Sequence, residues 1–215
     1  MNRQFLKRIV QYGVGVFFVA LGVIAIIRSE FGAGAWDTVT YNLSELIDST
    51  LGVASFITQT TIILIIMLFR KNLSYLLIFI PIVAISIAID FWDLVVFKDF
   101  YPASILLRSV FYIGGLLVLT TGLSLMILTH FKAAVFDELM LLIMDLFHTK
   151  NVLFTRLGVE LSAIIIGSMI GFIAGIRFGA VNVGSFILAI ILPPLLALQL
   201  KWMKPLFDRK DAHHD

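Results

Sequence analysis

Six apolar stretches, parted by short polar turns, leave this chain few ways to fold. A helix needs roughly 20 apolar residues to cross the hydrocarbon of a bilayer. Segments at about 9–28, 51–69, 73–92, 105–128, 157–176 and 183–201 meet that requirement. Arg70-Lys71-Asn72 is all that parts the second from the third, and Arg177 to Asn182 all that parts the last two. Turns so short make the flanking helices antiparallel neighbours. Only 14% of the residues are charged against 60% hydrophobic, where a soluble domain carries about 25% charged. Lipid is therefore the expected solvent and partner of most of the surface. The chain reads as an all-α polytopic membrane protein, one membrane domain over 1–215 with a polar tail at 206–215.

The N-terminus imitates a secretory signal, with Arg3, Lys7 and Arg8 before an apolar run and Ala33-Gly-Ala35 as a mock cleavage site. The run from Ile9 to Ile27 exceeds the 7–15 residues of a signal core, and is read as the first span. Orientation follows from Lys and Arg in the flanks. With the N-terminus inside, only Arg28, Lys98, Arg108 and Arg177 of the 16 basic residues fall outside, which leaves 16 − 4 = 12 inside. Both termini are expected in the cytoplasm, in the cell membrane.

The two halves of the chain overlay at a shift of 100 residues. Gly15 meets Gly115, Gly22 meets Gly122, Ser29 meets Thr129, Phe31 meets Phe131 and Ala33 meets Ala133. Trp36-Asp37 meets Phe136-Asp137, Glu45 meets Asp145, and one residue later Gln59 falls opposite Glu160. Hydrophobic chance aligns Leu with Ile freely, but not glycines and carboxylates together. Repeat one covers about 9–100 and repeat two about 106–205. Each holds three spans, an odd number, so the second must enter from the opposite side. Such inverted repeats are found in many secondary transporters.

The segment Phe31-Gly-Ala-Gly-Ala-Trp36-Asp37, following Gly22 and Arg28, resembles the signature of the YczE/YyaS/YitT family of bacterial membrane proteins. The likeness covers most of the chain, including the repeat and Asp90-Phe-Trp92. The second copy departs from it, with Lys132-Ala-Ala-Val-Phe136 in place of the glycines. The resemblance implies a multi-pass protein of the bacterial cytoplasmic membrane and transfers no catalytic or ligand residues.

Candidate site residues come from the polar groups that hydropathy does not explain. Asp37, Tyr41, Glu45 and Asp48 share one helical face, and Asp137, Leu141, Asp145 and His148 repeat the spacing. Each half thus gains a short amphipathic helix after its first span. It is expected to lie in the interface with Asp37 and Asp137 as N-terminal caps. The alternative is a re-entrant helix whose N-terminus borders a central cavity beside Trp36. Glu160 shares a face with Gly167, Gly171 and Gly175, and Gln59 with Gly52 and Ser55. Small residues every four positions mark close helix contacts, and intramembrane carboxylates are candidate sites by default. Against this, Glu160 can snorkel to the cytoplasmic edge with Arg156. Asp90 could line an outer vestibule or simply be solvated. Pro81 and Pro193-Pro194 are expected to kink their spans.

Other classes are excluded. There is no cysteine, phosphate loop, HExxH or nucleophile elbow, and His130, His148, His213 and His214 form no ligand spacing. No enzyme activity, cofactor or metal is expected, and a net charge of +2 gives no reason to expect nucleic acid. The expected function is a secondary transporter or exporter of a small molecule, with a homodimer plausible on size. The alternative is a non-transporting accessory protein that regulates a membrane-associated partner.

Overall fold

A computed structural model describes residues 3–129, 131 and 135–211. His130, Lys132, Ala133 and the tail end with His213 and His214 lie outside the described residues. Among the described residues, eight α-helices follow in order: α1 (Arg3–Arg28), α2 (Ala35–Leu46), α3 (Leu51–Arg70), α4 (Phe79–Asp90), α5 (Ile105–Leu128), α6 (Val135–Leu146), α7 (Val152–Ile173) and α8 (Val183–Asp211). A 3₁₀ turn (Leu73–Ile78) precedes α4 and a π-helical turn (Phe91–Val96) follows it. Six helical stretches among the described residues are long and apolar enough to cross a membrane. This is the make-up of a multi-pass membrane protein.

The ends of these stretches have local causes. Thr50, Ser104 and Asn151 each accept a hydrogen bond from the backbone three residues on, which caps α3, α5 and α7. The Asn151 cap moves the fifth span back from the expected 157–176 to Val152–Ile173. Arg156 therefore lies inside it. Gly175, at φ +76°, helps turn the chain after α7 rather than extending its small-residue face. Pro81 falls in the first turn of α4, just after the span passes from the 3₁₀ turn into the α-helix, where its missing N–H costs no α-helical bond. The third span runs past residue 92 to Val96 and takes in Asp93, whose carboxylate is paired with Arg28.

The core is a glycine crossing. Gly15 lies against Gly122 and Met126, and Gly22 against Gly115 and Leu119, so α1 and α5 run antiparallel in close contact. A Cβ on Gly22 would stand 2.6 Å from the Leu119 backbone nitrogen, which is why only glycine fits. Span three packs against both α1 and α3, and α8 against α5.

The short helices are placed differently from the interfacial expectation. Ala35 and Val39 pack with Ala163 and Ile164, Thr38 meets Gly167, and Asn42 meets Gly171. So α2 begins level with the middle of α7 and runs beside it to its end. Likewise Val135 packs with Ile62 and Ile63, and Asp145 reaches Arg70 at the end of α3. Each short helix thus lies along a span of the other half, and is not laid across the helix ends. The Asp37 cap expected from sequence is corrected as well. Gly34 holds that position with no side-chain cap, and Asp37 comes three residues later.

Local geometry recurs at the 100-residue shift. Ser29 and Thr129 hydroxyls both donate to the carbonyl three residues back and accept from the backbone two residues on. Asp48 and His148 both turn through left-handed backbone, at φ 49° and 50°. Trp36 and Phe136 stack with centroids 4.9 Å apart and planes 14° from parallel.

Candidate functional site

The 29–34 segment is held in place by backbone bonds. Ala33 N–H donates to Ala180 O at 3.1 Å, and Gly184 N–H to Phe31 O at 2.8 Å. Tyr112 hydroxyl donates to Gly184 O at 2.7 Å from α5. Asn42, wholly buried, completes the joint. Its Nδ2 donates to Gly167 O (2.7 Å) and Phe178 O (3.1 Å), and its Oδ1 accepts from Ala180 N–H (3.0 Å). The turn after α7 needs glycine at 179, whose φ is +56° and whose Cβ would overlap Asn42.

Above this joint opens a polar cavity of about 620 Å³. It lies at the end of the bundle where α1 and span three finish and α5 and α8 begin. Arg28, only 7% exposed, is its central charge. The Nη2 of Arg28 is 2.5 Å from Asp93 Oδ1, and the guanidinium sits 4.3 Å over the Tyr101 ring. Tyr41, Glu45 and Asp48 climb the facing wall, so most of the acidic stripe of α2 faces a cavity. Glu30 at the rim is 2.7 Å from Arg108.

The remaining residue of that stripe belongs to a second locus, where the two short helices begin. Asp37 lies within electrostatic reach of Glu160, and Glu160 within reach of Arg156 and Asp137. Arg156 Nη1 is 3.7 Å from Asp137 Oδ1. Burial, followed by the Glu160 carboxylate, pushes the Asp37 carboxyl above the ordinary range. Burial also raises Asp137, against the lowering effect of Arg156. The locus thus gathers three carboxyl groups and one guanidinium, so with every group charged it would carry a net negative charge. Trp36 Nε1 and Arg156 Nε are buried nearby without a hydrogen-bond partner.

Of the sequence candidates, Trp36, Asp37, Asp137 and Glu160 are brought to this locus. Gln59, on α3, donates to Ser55 Oγ at 2.8 Å. Asp90 is half-buried, and both of its oxygens are bonded. One oxygen accepts from Thr50 hydroxyl (2.8 Å) and the other from Gly52 N–H (2.7 Å), which ties span three to the start of α3. The sequence reading missed the Arg28–Asp93 pair, Asn42 and Tyr101. Arg28 and Asp93 sat at span ends, where charge needs no explanation. The signal for Asn42 was its position in the Ala35-Thr38-Val39-Asn42 face, which matches Gly167 and Gly171.

A family model described as a family of unknown function, DUF6198, matches residues 6–201. The chain belongs to that family. Among curated proteins it is similar to the uncharacterized protein YyaS of Bacillus subtilis strain 168, with 28% identity over 145 residues. The match spans 67% of this chain and 72% of that protein. No solved structure matches. The DUF6198 segment takes in the cavity, the central acids and the α1–α5 crossing.

Proposed function

We propose that the chain is a secondary transporter of a small molecule in the bacterial cytoplasmic membrane, built as two inverted three-helix repeats. It belongs on this reading to the wider YczE/YyaS/YitT grouping, with both termini cytoplasmic. The observation that carries it is the cavity, an open polar recess walled by Arg28 and the acidic stripe and floored by the segment that leads to α2. Reciprocal packing of α2 on α7 and α6 on α3, with Trp36 on Phe136 between them, supports the repeat. A helix of 12 residues is about 18 Å long, enough to reach from mid-membrane to its edge. In this reading α2 and α6 are re-entrant helices that meet tip to tip.

The cavity then faces outward, and the tips of α2 and α6 close the path below it. The Asp37–Glu160–Asp137 cluster lies at those tips and holds the protons. Moving α6 away from α3 while α2 closes on its own side would expose the path to the cytoplasm. Proton loss from Glu160 is the event that couples the two movements.

The test is an untargeted metabolite comparison, inside and outside cells, with and without the gene. The compound that shifts is then measured in proteoliposomes under a pH gradient. Glu160→Gln should abolish proton-driven flux while the purified protein keeps its melting temperature. Flux unchanged in that variant removes Glu160 from the mechanism. An unchanged metabolite profile, together with a co-purifying partner, would turn the reading to an accessory protein.

A further inference from the structure

The cavity wall says what kind of molecule fits it. Arg28 is the one cation among its lining residues, and its guanidinium is only partly used. Nη2 serves Asp93 at 2.5 Å, and Nη1 is buried with no acceptor. A guanidinium presents five N–H donors in a fixed fork, and a buried donor without an acceptor is costly. A carboxylate is the natural complement of such a fork, which it meets in a planar, charge-assisted geometry.

A plain anion fits the rest of the cavity badly. Besides Asp93 and the paired Glu30, the lining carries Glu45 and Asp48, each exposed and without an ion pair among the described residues. Tyr41 lies within electrostatic reach of both Arg28 and Glu45, and all three line the same cavity with Asp48. A plain cation would satisfy the mouth and leave Arg28 Nη1 unused. The volume of about 620 Å³ lies within the range of small-molecule sites.

We infer that the cavity binds a small amino carboxylate, a zwitterion whose carboxylate rests on Arg28 and whose ammonium faces Glu45 and Asp48. The inference rests on the reading of this cavity as the cargo site. Its binding chemistry can nevertheless be tested without any measurement of flux.

The protein in lipid nanodiscs is screened by thermal unfolding against the twenty protein amino acids, γ-aminobutyrate and glycine betaine. Each stabilising compound is then compared by calorimetry with the amine that lacks its carboxylate and the acid that lacks its ammonium. At least one zwitterion should bind at least tenfold more tightly than both counterparts. Glu45→Gln and Asp48→Asn alter exposed groups and leave the fold intact. Each should weaken that zwitterion by about tenfold and narrow its advantage over the acid. Arg28→Lys, which keeps the charge and loses the fork, should narrow its advantage over the amine. Equal binding of the amine, equal binding of the acid, no stabilisation by any compound, or unchanged affinity in the Glu45 and Asp48 variants would each overturn the inference. Zwitterion binding without flux in proteoliposomes would defeat the transport reading and leave the site. Flux of an uncharged solute with no zwitterion binding would do the reverse.

Discussion

Asn42→Ala is the most informative single change outside the cavity. The side chain is wholly buried and makes three hydrogen bonds, at 2.7, 3.1 and 3.0 Å, to Gly167 O, Phe178 O and Ala180 N. Alanine makes none of them. At about 1 kcal/mol net per bond the loss is about 3 kcal/mol. For a chain of this size, 1 kcal/mol corresponds to about 2–4 °C in soluble proteins, so the melting temperature should fall by roughly 6–12 °C. The structural consequence is local, because these bonds hold α2 and the turn after α7 in one piece. The protein has no cysteine, so Thr38→Cys, at a fully buried position, reports on that joint. Its thiol should resist a water-soluble maleimide in the otherwise unchanged protein and react in the Asn42→Ala background. Thr61→Ala, which removes an exposed bond to its own helix, should stay within about 0.5 kcal/mol and serves as control. A fall of less than 2 °C (~0.5–1 kcal/mol) with the introduced thiol still protected would refute the argument.

The other predictions concern the crossing, the buried pair, the central acids and the orientation. Gly22→Ala should destabilise by about 1–3 kcal/mol because its Cβ meets Leu119, while Gly13→Ala, with nothing within 4 Å, should stabilise by up to about 1 kcal/mol; thermal unfolding separates them. Arg28→Gln leaves Asp93 buried without its cation and should cost about 3–5 kcal/mol, with Asp93→Asn added to it recovering part of the loss in a double-mutant cycle. Asp37 holds its proton more tightly folded than unfolded, so its contribution is full in the acid range and is lost as pH rises through the raised pKa. Stability should therefore decline as pH rises from about 4 toward neutral, and Asp37→Asn should flatten that decline. Ser104→Cys and Asn72→Cys, made singly, test orientation: an impermeant maleimide should label the first in intact cells and the second only after lysis.

The spans were legible because hydrocarbon imposes one requirement, an unbroken apolar run, and that requirement can be counted along the chain. Their ends were less so. Arg156 looked like a flank because a charge reads as a boundary, yet Asn151 caps the helix and Asp137 lies 3.7 Å from that arginine. The acidic stripe of α2 posed a harder ambiguity. Carboxylates facing bulk water and carboxylates facing a cavity have the same periodicity, and only α7 beside the opposite face separates the two. Asp90 was chosen for its place near a membrane edge, but its oxygens are taken up by Thr50 and Gly52, partners some forty residues away that no local pattern reveals.

The exchange of short helices between halves also bears on how the chain is made. When α2 leaves the ribosome, the stretch of α7 that it packs against is more than a hundred residues short of existing. At about 5–20 residues per second that is a delay on the order of ten seconds. During it, the small-residue face of α2 and the buried amide of Asn42 have no partner of their own. The first three spans therefore cannot complete themselves. The same exchange means that the two halves of the chain, synthesised as separate polypeptides, should carry complementary unfinished surfaces, each the template on which the other closes.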